Sequence, residues 1–504
     1  MKMKNIKYLL LVVVLFFIIP GCKKFLNVTP IDALSGNNFW KTKTDVEGFT
    51  NGIYTRLRDK VGDGPFLPAL EMRGNFVSGN GGTSSNDAAG NTNYNNLIAN
   101  NLKQVSSTSF NNMQNWKAWY DVIAASNILY KEIDRVSSSE LSDTERKNYK
   151  AEAVFLRNLS YMFICKLFGD AIYYTDAYHS QSLARTGQVT VMKNCIADMD
   201  AVKNDLPVVN ADPSKAGLRP TRGSAIALLM HLNMWAAAWD NTDKKPYYTA
   251  TISLANELAT YTNYQLLPIN AENTRRIFKG RSPENLFSIL QDFNYGESFS
   301  QQALYGYFFA HFPLYGGVTT ATSRMTYKKD YIIKLFPAGV ADARLATWFE
   351  NYDSGTNSFQ FKKYMNIYAT GSGSTLTVNS DDSAIIFRLP DMILLAAQAA
   401  AELDNDSQAR DFANQVRLMA GAPLLITSGE ELKKDLYFER CRELIGEGQF
   451  FFDAVRTKRI LDADYSSNPI TVTDFNAGAW TWPLAISSAE RLANPKLVGN
   501  NFWN

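Results

Sequence analysis

The stretch SDTERKNYKAEAVFLRNLSYMFICKLFG, residues 142–169, decides the fold class. Ser142-Asp143-Thr144-Glu145 is a capping box, in which the serine hydroxyl and the glutamate carboxylate satisfy backbone N–H groups that a helix start leaves unpaired. Phe155, Leu156, Leu159, Met162 and Phe163 then recur at helical spacing. Gly169 is placed to end the helix, because only glycine enters the left-handed C-terminal conformation without a steric cost. The segment predicts a helix of more than six turns with a wide apolar stripe, and such a stripe needs partner helices.

Working outward, partners are found on both sides. A helix fits Trp116 to Val136, with Trp119, Ile123 and Leu129 inward. Thr44-Asp45-Val46-Glu47 opens another, with Val46, Phe49, Ile53 and Leu57 on one face. Downstream, Val191 to Leu206 is helical and stops before Pro207. Thr221 caps a helix through Ala225, Leu228, Leu229, Leu232 and Trp235, and its partner lies near Tyr247 to Thr260. These two read as a helical hairpin. Helices resume near Leu389, with Ile393, Leu394, Ala397 and Ala401 on one face. Gln408 to Met419 follows, then Glu430 to Arg459, interrupted at Gly446 and Gly448. Paired helices with short connections predict a mainly α protein, a tetratricopeptide-like helical-hairpin repeat superhelix.

Two regions do not fit that pattern. Residues 60–115 are the most loop-like, with a glycine-rich run at Gly79-Asn80-Gly81-Gly82 and dense asparagine from Asn91 to Asn101. Residues 263–380 form an irregular, loop-rich insertion with short strands at Asn285 to Leu290 and Ser358 to Tyr364. A tail from Trp480 is extended.

The N-terminus carries an address. Lys2, Lys4 and Lys7 precede an apolar run from Tyr8 to Ile19, and Pro20-Gly21-Cys22 ends it. This is the layout of a signal peptide over residues 1–21, and the run is too short for a membrane span. Ile19-Pro20-Gly21-Cys22 resembles a lipobox, in which the cysteine is acylated and becomes the first mature residue; Pro20 is unusual there. An ordinary signal peptide with a chance cysteine, or an uncleaved anchor, are the alternatives. Removal of the leader takes three lysines from 51 basic residues and leaves 48 against 49 acidic ones. A nearly neutral body offers no electrostatic reason to bind nucleic acid. Hydrophobic residues at 46% and charged residues at 20% describe a globular chain. Residues 22–504 are read as one domain.

Catalytic constellations are sparse. Besides Cys22 there are Cys165, Cys195 and Cys441, with no metal-type spacing, and the three histidines, His179, His231 and His311, are far apart. Cys165 and Cys441 read as isolated buried thiols, and His231 as a packed, hydrogen-bonded side chain. Glu439, Glu443 and Glu447 share one helical face, with Arg440 and Arg442 between them. Three carboxylates in register suit metal binding or acid–base work, but the interleaved arginines favour a charged network that fixes helix packing. Gly79-Asn80-Gly81-Gly82 lacks the Lys-Ser or Lys-Thr of a phosphate loop, and no Gly-x-Ser-x-Gly is present. The insertion holds a dense aromatic cluster of Tyr295, Tyr305, Tyr307, Phe308, Phe309, Phe312 and Tyr315, with glycines at 296, 306, 316 and 317. Part of it fills core. The rest presents flat faces suited to sugar rings. Ligand-binding chemistry is therefore expected at Arg73, Asn75 and Tyr94 in the first loop region and at Tyr295, Tyr305 and Tyr315 in the insertion.

Several segments together resemble the SusD/RagB family, surface lipoproteins of Bacteroidota nutrient-uptake systems. They are Cys22 to Pro30; Ala151 to Arg157 with Leu167-Phe168-Gly169-Asp170; Arg219-Pro220-Thr221-Arg222-Gly223; Arg388-Leu389-Pro390-Asp391; Phe438 to Leu444 with Glu447-Gly448 and Phe452 to Arg456; and Trp482-Pro483-Leu484 with Asn494-Pro495. Gln449 stands where an Arg is usual and Gln398 where a Glu is usual. The resemblance implies four tetratricopeptide-like helix pairs beneath a variable, loop-rich ligand face. It implies no catalysis, and no cofactor or metal-ligating residue is assigned. It implies capture of an oligosaccharide at the cell surface and delivery to a SusC-like TonB-dependent outer-membrane transporter. Cys22 would be the lipidated residue, holding the protein to the outer membrane facing the exterior. A peptide-binding member of the same architecture and a lipid-anchored glycoside hydrolase are the alternatives; for the hydrolase, no carboxylate pair stands out. A helical scaffold with no small ligand is a third.

Overall fold

The computed structural model describes residues 39–62, 66–79, 87–105, 110–292, 294, 325–350, 360–375 and 377–503. Its main helices are α1 (Lys43–Gly62), α2 (Phe66–Met72), α3 (Asp87–Ile98), α4 (Lys117–Glu132), α5 (Asp143–Phe168), α6 (Gln188–Val202), α7 (Arg222–Trp239), α8 (Lys245–Leu258), α9 (Ala271–Lys279), α10 (Leu389–Glu402), α11 (Asp406–Met419), α12 (Gly429–Glu443) and α13 (Phe450–Arg456).

Helix α5 begins where its capping box places it. Ser142 Oγ accepts from Glu145 N, and the Glu145 carboxylate accepts from Ser142 N at 3.1 Å. Gly169 ends it with φ +75°. From Ala151 to Phe168 every residue is buried. The amphipathic stripe therefore widens into a helix enclosed on all sides, which is what neighbours on both flanks produce. Thr221 and Ser224 form a second capping box at the start of α7.

The scaffold helices pack in chain order. The chain of contacts runs α1, α4, α5, α6, α7, α8, then across the insertion to α10, α11 and α12. This nearest-neighbour stacking is the mark of a helical repeat. One hydrophobic cluster reaches from Trp40 to Leu497, and a smaller one, including Leu394, Ala401, Val416 and Leu436, lies between α10, α11 and α12.

The two irregular regions and the approach to α10 contribute short strands. These are β1 (Val77–Gly79), β2 (Asn285–Ile289), β3 (Met325–Tyr327), β4 (Phe349–Glu350), β5 (Gln360–Phe361), β6 (Ile367–Thr370), β7 (Thr377–Ser380) and β8 (Ala384–Arg388). They form four two-stranded antiparallel pairs: β1 with β3, β2 with β8, β4 with β5, and β6 with β7. β2 and β8 are buried throughout, and Arg388 leads directly from β8 into α10.

The 60–115 region corrects the sequence expectation. It contains α2, α3 and a helical turn at Asn111–Gln114. Asparagine is a poor helix former, yet Tyr94, Leu97 and Ile98 on α3 are buried. Tertiary burial of that apolar set outweighs the local preference. No described helix is long and apolar enough to cross a membrane.

Candidate functional site

The two irregular regions meet. β1 belongs to the first and β3 to the second, and their ladder pairs Val77 with Tyr327, Ser78 with Thr326 and Gly79 with Met325. Gly79 and Met325 are the described residues that border segments 80–86 and 295–324. Glu71 fastens the base of this junction. Its carboxylate accepts from Tyr327 OH at 2.8 Å and from Gly448 N at 3.2 Å. Burial raises the Glu71 pKa, against the donors that lower it. Phe76 stacks on Tyr331, with centroids 4.8 Å apart.

Arg73, Asn75 and Tyr94 lie at this junction, and the expectation that they face a ligand is corrected by their burial. Arg73 is 0% exposed. Its guanidinium donates to the carbonyls of Trp480 at 3.0 Å, Thr481 at 3.1 Å and Ala479, and to Asn100 Oδ1 at 3.1 Å. Phe451 and Trp482 flank it, at 4.3 and 5.5 Å. Asn75 is also 0% exposed. It donates to Glu71 O at 2.8 Å and accepts from Phe76 N at 2.7 Å. Tyr94 is buried and meets Phe110 edge-on. All three hold the junction from inside. Tyr295, Tyr305, Tyr315 and Cys22 lie outside the described residues.

Beneath the junction is an ion-pair lattice built on Glu439, Glu443 and Glu447. Glu439 pairs with Arg344 at 2.8 Å, with Arg442 at 2.9 Å, and with Arg417. Glu443 pairs with Arg344 at 2.9 Å and Arg388 at 2.6 Å. Glu447 pairs with Lys363 at 2.6 Å and Arg388 at 2.7 Å. Burial alone would raise the Glu439 carboxyl; Arg344, Arg442 and Arg417 outweigh it and hold it well below the usual range. The same contest, settled by Arg388 and Lys363, lowers Glu447. Burial pushes Lys363 down to about 8 and Glu284 up to about 7. The sequence named Arg440 and Arg442 as counter-charges. Arg442 does pair with Glu439, but Arg440 turns to Asp391 at 2.7 Å and Asp453 at 2.8 Å. Most of the cations come from the insertion and α11. The turn that ends the lattice needs glycine: Gly446 has φ +83°, and a Cβ there would stand 2.7 Å from Phe361.

His231 is packed as expected. Its Nε2 is 2.8 Å from Asp391 and its Nδ1 3.2 Å from Lys166 Nζ. Burial, aided by the Lys166 charge, lowers it to about 4, so the imidazole is neutral at pH 7. Cys165 and Cys195 are free and buried, and Cys441 is free and partly buried.

Comparison with known proteins places this geometry. The chain matches the SusD family model over residues 345–503 and a second model, described as starch-binding associating with outer membrane, over residues 25–233. A SusD homolog of Bacteroides thetaiotaomicron, solved as a crystal structure, is 34% identical, with a TM-score of 0.82 over 92% of this chain and 100% of its own. The chain belongs to the SusD-like family. SusD-like protein P38 of Formosa agariphila is 24% identical over 99% of each chain. A laminarin-binding SusD-like protein shares the fold at 18% identity and a TM-score of 0.70, covering 91% of this chain and 99% of its own. The SusD-like family model ties the group to the outer membrane. The second model ends inside α7 and the first begins just before β4, so both cover helical scaffold and leave most of the insertion between them.

Proposed function

We propose that this SusD-like protein is a non-catalytic glycan receptor. In this reading it is acylated at Cys22, held at the outer membrane facing the exterior, and passes oligosaccharide to a SusC-like TonB-dependent transporter. The observation that carries the reading is the convergence of the two irregular regions on the β1–β3 ladder, above a lattice that fixes its base. Ligand sites favour variable loops set on a rigid scaffold. The carboxylates that the sequence offered for catalysis are spent on arginine and lysine. The ligand aromatics are Tyr295, Tyr305 and Tyr315, which stack on sugar rings. The laminarin-binding relative supports the ligand class.

The test is affinity electrophoresis through gels cast with starch, laminarin, xylan or mannan, alongside a reducing-end assay. Retardation by at least one polysaccharide, with no release of reducing ends, is expected. The variant Y295A/Y305A/Y315A should lose retardation at an unchanged melting temperature. Reducing ends accumulating with time would establish a hydrolase instead. A Cys22→Ala strain should bind ligand yet fail to import it.

A further inference from the structure

A second site lies away from the β1–β3 junction. A cleft of about 640 Å³ opens where the C-terminal end of α7 meets the tail, within the size range of small-molecule sites. Its floor is aromatic. Trp239 lies parallel to Phe475, with centroids 5.6 Å apart and 7° between planes, and tilts onto Trp480 at 4.4 Å. Trp239 is the partly exposed member; Phe475 and Trp480 are buried.

The walls carry amides. Asn241 and Asn476 are exposed at the rim. Asn500 is fixed: its amide donates to Thr481 Oγ1 at 3.2 Å and its oxygen accepts from Phe502 N at 3.3 Å. Gly478 allows this, with φ +101°, because a Cβ there would stand 2.4 Å from the Asn500 amide. The charged groups are mostly occupied. Arg185 spends its N–H groups on the carbonyls of Phe168, Asp170 and Val498, and Asp170 Oδ1 accepts from Gln188 N at 3.0 Å. One donor is left over. Trp239 Nε1 is buried without a hydrogen-bond partner among the described residues, whereas Trp235, one turn earlier, gives its Nε1–H to Gln188.

We infer that this cleft is a second carbohydrate site, taking a short neutral oligosaccharide. Primary amides donate and accept in one plane and match adjacent hydroxyls. The indole offers an apolar face to the ring. Among the described residues, Lys458 is the one cation at the rim besides the occupied Arg185, too little for a phosphorylated or polyanionic ligand. The inference shares only the ligand class with the proposed receptor function, since none of its residues belongs to the tyrosine face. It also explains a use for the tail: the segment whose carbonyls hold Arg73 lends the Trp480 ring to the cleft.

The test is tryptophan fluorescence titration of the full chain with laminarihexaose, maltohexaose, xylohexaose and mannohexaose. A saturable change with at least one is expected. N241A/N476A should weaken it about tenfold or more, the loss of two or more hydrogen bonds. Both residues are exposed, so melting should be unchanged. Y295A/Y305A/Y315A should leave the response intact, and W239F should diminish its amplitude. No response to any hexaose, a response that survives N241A/N476A, or one abolished by the tyrosine triple would overturn the cleft. Binding only to uronate-bearing oligomers would overturn the neutral assignment. Gel retardation of the wild type beside a silent cleft defeats this inference alone; a cleft that titrates while retardation is absent defeats the polysaccharide-receptor reading alone.

Discussion

Arg388→Met tests whether the lattice holds the scaffold together. Arg388 donates to Glu447 Oε2 at 2.8 Å and Oε1 at 2.7 Å, to Glu443 Oε1 at 2.6 Å, to the Glu443 carbonyl at 2.6 Å, and lies 3.4 Å from Glu284. Methionine keeps much of the stem and removes the charge. Glu443 retains Arg344, Glu447 retains Lys363, and among the described residues Glu284 retains only the Leu267 N–H at 2.8 Å. Breaking one side of a buried ion pair costs roughly 3–5 kcal/mol. With an unfolding entropy of about 2.1 cal/mol/K per residue, the whole chain loses about 1 kcal/mol per degree, so Tm should fall by about 3–5 °C. The shift should also depend on pH. Without Arg388 the Glu284 carboxyl, already raised to about 7 by burial, rises further. A raised folded pKa contributes stability below the unfolded value and loses it as pH climbs through the folded one. The deficit of R388M should therefore be larger at pH 8 than at pH 5.5. Differential scanning fluorimetry at both pH values measures it, and R388M/E447Q should recover part of the loss. A drop under about 1 °C at pH 8, or a deficit equal at both pH values, refutes the lattice reasoning.

Three further outcomes are expected. Arg73→Met strands the carbonyls of Ala479, Trp480 and Thr481, so Tm should fall by about 3–5 °C, with proteolysis of the tail appearing first. Lost polysaccharide retardation at unchanged Tm would instead make Arg73 a ligand residue. His231 has a lowered folded pKa of about 4, so its contribution is present above the unfolded value near 6.5 and is lost as pH falls toward 4. Thermal scans across that window should be steeper for wild type than for H231Q, and parallel curves would contradict the neutral buried imidazole. Gly446→Ala places a methyl group against Phe361 in a left-handed backbone. A cost of about 2–4 kcal/mol is expected, read as the same number of degrees in Tm.

The helices were legible because their signals are local. Ser142 and Glu145 are three residues apart, and Thr221 finds its capping partner at Ser224. What failed was non-local. Arg73 looks like a ligand residue in sequence because its acceptors are backbone carbonyls of residues 479–481, which leave no side-chain trace. The helix α3 hides in an asparagine run because its stabilising contacts are tertiary. Glu439, Glu443 and Glu447 were readable as a network, but Arg344, Lys363 and Arg388 are separated from them by more than fifty residues and a change of element. The cleft was invisible for the same reason: Trp239 and Asn241 end one helix, while Phe475, Asn476 and Asn500 arrive with the tail.

The hold of Arg73 on residues 479–481 spans more than 400 positions, and this has a consequence for the order of assembly. A chain is made from its N-terminus, and contacts of long sequence separation close late. Until the last few dozen residues have been synthesised, the Arg73 guanidinium has no carbonyls to receive it and must stay hydrated. The junction beside the end of α2 lacks that anchor while it does. The hold of Arg73 on the tail is thus among the last contacts to close, and a product stalled before Ala479 would leave that guanidinium with Asn100 but without its three carbonyls. Completion of the chain closes the junction.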